Sequence, residues 1–155
     1  MQFINYFFTS LISFSGLAIG ILLVKIAPEE QEQLKKYMGW MQKLILGAML
    51  AFLALYYYNK EIYLAELLVC FVCLAFVDYK VMDRYKRNMF AYLVFGIFFY
   101  LSSKNLDIFL AEAALILLYG LPVAPLMYNA REKNHKKIIF YNSLFLIAAN
   151  LLYFL

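Results

Sequence analysis

The stretch DYKVMDRYKR, residues 78–87, decides how this chain is read. It carries Lys80, Arg84, Lys86 and Arg87, and it separates two apolar runs, Ile62 to Val77 and Met89 to Ser102. Each run falls short of the roughly 20 residues a helix needs to span a bilayer. Alone, they suggest a re-entrant pair in a chain of four spans. The charges argue for six. Lys25, Lys35, Lys36 and Lys43 follow the first apolar run, Phe3 to Ala27, and Arg131, Lys133, Lys136 and Lys137 follow the fifth, Ile108 to Met127. The two loops between hold only Lys60 and Lys104. Twelve of the fourteen basic residues therefore sit in alternate loops, which the positive-inside bias assigns to the cytoplasmic side. Without the short pair, residues 78–87 would be stranded outside. The pair spans by borrowing ends: residues 79–81 prolong the third run, and Lys86 and Arg87 snorkel from the start of the fourth.

The expected fold is all-α: a polytopic membrane protein forming a six-transmembrane-helix bundle in one integral membrane domain, residues 1–155. The helices are expected at about 3–27, 34–58, 61–80, 87–103, 107–127 and 138–155, in the cell membrane, with both termini outside. Composition agrees. Of 155 residues, 66% are hydrophobic and 15% charged, with a mean hydropathy of +0.73. A soluble domain of this size lacks the interior to hide so much apolar surface. No Lys or Arg precedes Lys25, so the first run lacks the basic n-region of a signal peptide and is read as a resident helix. Tyr56, Tyr57, Tyr58, Tyr63, Tyr100 and Tyr153 fall at outer helix ends, and Tyr37, Trp40, Tyr79, Tyr128 and Tyr141 at inner ends, as interfacial belts require. Pro28, followed by Glu29, Glu30 and Glu32, marks a helix start ahead of the second span.

The net charge of +4 points to the bilayer rather than to nucleic acid. Anionic lipid head groups are the expected partners of Lys80, Arg84, Lys86, Arg87, Arg131, Lys133, Lys136 and Lys137.

Residues 61–66, EIYLAE, resemble residues 107–112, DIFLAE, and both stretches open a helix at the outer side. Helices three and four, and five and six, are thus candidate copies of one repeated two-helix hairpin in a common orientation. Helices one and two are a candidate third copy, with Ser10 in place of the glutamate.

The same alignment brings Glu66 and Glu112 to one depth, about 7 Å of helix rise inside the outer end. A carboxyl within a span is costly and is a functional hypothesis by default. Asn150 falls at a similar depth on the last helix. Glu66, Glu112 and Asn150 are the expected ligand-binding residues, for a proton, a cation or a cationic small molecule. The competing reading gives both glutamates to the helix N-terminal dipole, to outer water, and to Lys60 and Lys104. Gly16 and Gly20, spaced G-x-x-x-G, and Gly47 with Ala51 are expected at helix contacts, within the bundle or between protomers. Gly120, Pro122 and Pro125 interrupt the fifth helix near its inner end, and read as its terminus rather than as a break lining a path. Cys70 and Cys73 have no second pair and read as packing residues. His135 is the single histidine, and no metal or cofactor is expected.

Three functions follow from these residues. The first is a small transporter or channel-like protein with an outer-facing carboxylate site. The second is a non-catalytic structural or assembly subunit, as a homo-oligomer or in a larger membrane complex. The third, an intramembrane enzyme acting on lipid around Asp78 and Asp83, lacks acid–base groups, so an enzyme is the weaker expectation.

Overall fold

A computed structural model describes residues 2–58, 65, 67–74, 84–128 and 135–154, the side chains of 30–32 apart. Its regular elements are all helices: α1 Phe3–Ile26, α2 Pro28–Tyr57, α3 (67–74), α4 Arg84–Ser102, α5 Leu106–Met127, α6 His135–Asn142 and α7 Leu144–Tyr153. No strand occurs among the described residues. Among the described residues, three stretches are long and apolar enough to cross a membrane: Phe3–Ile26, Gln33–Tyr57 and Leu106–Met127.

Local chemistry accounts for the helix limits. α2 starts on Pro28 at its first turn, where the missing N–H costs nothing. The Asn105 side chain caps α5, accepting from the N–H groups of Asp107 at 2.9 Å and Ile108 at 3.3 Å. Lys25 lies in the last turn of α1, where the dipole favours a cation. α4 and α6 are already helical at Arg84 and His135, ahead of the expected 87 and 138. Hydropathy marks where apolar contact begins, whereas backbone hydrogen bonding continues through the polar flank. The last rod is divided at Ser143, whose hydroxyl donates to the Phe140 carbonyl at 2.7 Å and so competes with the helix ladder.

α5 carries Gly120, Pro122 and Pro125 inside its last turns and ends at Met127, the expected end of the fifth helix. The prolines remove two intrahelical donors, and the carbonyl that Pro125 leaves without its i+4 partner is that of Leu121. This carbonyl is turned toward Gly20, 2.7 Å from where a Cβ there would lie. Gly16 faces the Leu117 carbonyl even more closely, and a Cβ on Gly120 would overlap the Leu17 N. Two helix backbones thus meet in van der Waals contact. The register rises together on both (Gly16 with Leu117, Gly20 with Leu121 and Ala124), so α1 and α5 run parallel.

A second parallel pair lies beside the first. Tyr85 approaches Tyr141, Tyr92 approaches Phe145, and Gly96 sits against Ala148, so α4 and α7 share a direction. α1 opposes them: Tyr6 meets Tyr153, and Phe14 stacks on Phe145. The Tyr6 hydroxyl crosses to donate to the Ala149 carbonyl at 2.9 Å. Tyr6, Phe99, Phe109 and Phe145 are fully buried and touch edge-on or tilted at 4.6–5.5 Å between centroids, the spacing aromatic quadrupoles prefer.

The bundle therefore has two unlike ends. Lys25, Lys35, Lys36, Arg84, Lys86, Arg87, Lys136 and Lys137 belong to one, called here the basic end. α1 and α5 run toward it; α2, α4 and the α6–α7 rod run away from it. At the opposite end α2 and α4 meet through the Tyr57 hydroxyl, which donates to the Leu101 carbonyl at 2.7 Å.

Candidate functional site

The site expected from sequence places Glu66, Glu112 and Asn150 together. Glu66 lies outside the described residues, as do Lys80, Arg131, Lys133, Asp78 and Asp83. Glu112 and Asn150 are described, and no hydrogen bond joins them. The Asn150 amide donates to the Leu146 carbonyl at 2.7 Å and, weakly, to the Ser10 hydroxyl at 3.4 Å. Asn150 is thus turned to α1, and its side-chain oxygen is buried without a partner.

Glu112 is the sharper feature. It is 0% exposed, and neither carboxyl oxygen has a hydrogen-bond partner among the described residues. It stands in the second turn of α5, past the Asn105 cap, so the backbone N–H groups of the first turn do not reach it. The expectation that it snorkels to water or pairs with Lys104 does not hold for this geometry. A buried polar group without a partner carries its full desolvation cost, roughly 1–3 kcal/mol and more when charged.

Glu112 shares its face of α5 with Tyr119 and Leu126, since seven residues make nearly two turns. Tyr119 packs edge-on against Phe95 at 4.6 Å and Tyr92 at 6.0 Å. Beyond these rings, toward the basic end, a cavity of about 660 Å³ opens between α2, α3, α4 and α5. Lys43, Arg84 and Arg87 line it at the basic end, and along the bundle axis its wall is apolar, with Leu46, Leu50, the buried Leu74 and the half-exposed Phe71. Gln42 and Asn88 are buried in its wall. No carboxylate is among the described lining residues. Asn88 donates to the Arg84 carbonyl at 3.0 Å and to the Met127 sulfur at 3.2 Å. Arg84 reaches the Leu126 carbonyl at 3.3 Å, in the carbonyl-rich last turn of α5 where a cation is favoured.

Compared with known protein families, curated proteins and solved structures, the chain matches none.

Gly16 and Gly20 lie in the α1–α5 contact. Gly47 does not lie in a helix contact: a Cβ there would meet nothing within 4 Å, because Gly47 faces the cavity. Cys70 is half-buried and Cys73 exposed, and no disulfide joins them. Among the described residues, no three His, Cys, Asp or Glu side chains gather as a metal site. Sequence reasoning missed the cavity. The charge pattern groups Lys43 with its loop, although it lies ten residues inside the apolar stretch Gln33–Tyr57 and beside Gln42. A cation next to an amide within a span was the available signal.

Proposed function

We propose that the chain is a six-span membrane protein with both termini outside, and that it binds and passes a proton, a cation or a cationic small molecule at Glu112. One observation carries the functional reading: the Glu112 carboxyl is wholly buried and unpartnered. An apolar interior does not tolerate a lone carboxylate without a proton or a cation beside it. The apolar outer surface, with Ile4, Phe8, Ile12 and Leu22 of α1 and Leu44 and Leu55 of α2 exposed, supports embedding in lipid. The opposed helix directions fit six spans, and the basic end then faces the cytoplasm. The assembly-subunit reading called for an unpartnered Gly16–Gly20 face, and those glycines are engaged inside the bundle.

Orientation is tested by reporter fusions at each terminus. A periplasm-dependent phosphatase is expected to be active there and green fluorescent protein dark; bright fluorescence at either end would overturn the topology. For the site, the full chain in liposomes is expected to dissipate a proton, sodium or potassium gradient, with Glu112→Gln at least tenfold slower. Equal rates in the two proteins, or no flux of any of the three ions, would refute it.

A further inference from the structure

The cavity at the basic end is graded along the bundle axis. Lys43 and Arg84 stand at its rim, and both are exposed. One to two turns deeper on the same helices are Leu46, Leu50 and Ala91, joined by Phe71 and Leu74 of α3. Charge at the mouth over apolar walls is the profile of an anionic amphiphile. Guanidinium and ammonium groups together suit a phosphate, the first by its fork of donors and the second as a compact charge.

Size narrows the occupant. A free phosphate fills only a few water volumes, at roughly 30 Å³ each, and would leave most of about 660 Å³ empty. That volume falls within the range of roughly 300–1,000 Å³ that buries most of a drug-sized ligand. A glycerophosphate head with its first methylenes fits it.

A second observation points to a ligand. Gln42 lines the cavity and is 9% exposed, yet its side-chain N–H₂ has no hydrogen-bond acceptor among the described residues. A buried amide donor is seldom left so, and a phosphate or ester oxygen in the cavity would satisfy it. Gly39 and Gly47, also in the lining, face open space, so the α2 wall is bare backbone where an acyl chain could lie. The two walls, α2 and α4, hold together at their far ends through Tyr57 and Leu101 and stand apart here.

We propose that this cavity is a binding site for an anionic phospholipid, with its phosphate at Lys43 and Arg84, its ester region at Gln42, and its chains along Leu46 and Leu50. The bound lipid wedges between α2 and α4. The inference rests on the reading of the chain as membrane-embedded and is independent of Glu112.

Binding to the purified full chain in an uncharged detergent tests it by calorimetry, with three probes: dihexanoyl phosphatidylglycerol, inorganic phosphate and uncharged dihexanoylglycerol. The phospholipid is expected to bind at least tenfold more tightly than either of the others, and less tightly as salt is raised. Gly47→Leu fills the cavity from a position with no neighbour to disturb, and Lys43→Gln removes one charge. Each is expected to weaken phospholipid binding at least fivefold while elution volume and melting stay as in the parent. Inorganic phosphate binding as tightly as the lipid would overturn the proposal in favour of a free-anion site. Dihexanoylglycerol binding as tightly would overturn it by making the cations irrelevant, and undiminished binding in both variants would place the lipid elsewhere. The Glu112 reading is measured as flux in liposomes, so either can fail while the other stands.

Discussion

Gly16→Leu is expected to prevent assembly of the bundle or to destabilise it by more than about 3 kcal/mol, the upper range for overpacking a filled interior. The reason is the partner. A Cβ on Gly16 meets the Leu117 carbonyl group of α5, with its carbon at 2.7 Å and Cα at 2.9 Å. A backbone cannot rotate away as a side chain can, so the two helices must part along their whole contact. Gly20 and Gly120 then lose their neighbours with it. Between lipid-embedded helices the hydrophobic effect offers little compensation, because lipid tails are as apolar as the interior, and close packing carries the association. The measurement is the midpoint of unfolding by an anionic detergent in mixed micelles. Gly39→Leu is the control: nothing lies within 4 Å of its Cβ position, so its change should be at most a gain of about 1 kcal/mol from helix propensity. A Gly16→Leu midpoint equal to that of the control would show that the α1–α5 contact does not hold the bundle.

Glu112→Leu should move the same midpoint the other way, raising stability by about 1–3 kcal/mol. The substitution removes a buried carboxyl whose two oxygens have no partner, and the removed cost is that of an unsatisfied polar group. Leucine is of similar size and brings no polar atom. Flux through the liposome-embedded chain should be lost in the same variant. Gain in stability with loss of activity separates a functional residue from a structural one. A destabilised Glu112→Leu would mean that the carboxyl is holding something in place, and the functional reading of its isolation would fall.

The cap of α5 adds to the repeat. Asn105 holds the start of the helix that carries Glu112, and Asn59 stands at the corresponding place before residues 61–66. The two stretches therefore match over NKEIYLAE and NLDIFLAE, residues 59–66 and 105–112, with the capping residue included. Residues 59–64 and 66 of the first copy lie outside the described residues.

Helix identity was legible in the chain itself because its determinants are local. Pro28, the Asn105 cap and the apolar lengths of α1, α2 and α5 each act within a few residues. The Gly16–Gly20 spacing likewise announced a close contact. What it touches was not legible: Leu117, Gly120 and Leu121 are about a hundred residues away, and Gly120 reads locally as a helix breaker beside two prolines. Glu112 stood out by being a carboxyl in an apolar run, but its isolation depends on which side chains surround it, and Asn150 proved to face α1 instead. The cavity is the extreme case. Lys43, Gln42, Arg84 and Asn88 come from two helices separated by some forty residues, and no periodicity within either records the gap between them. Sequence determines what each helix is, since hydrogen bonding and hydropathy are summed along a segment. Only tertiary structure decides which faces close on each other and which stay open, since that is a balance of contacts among all the helices at once.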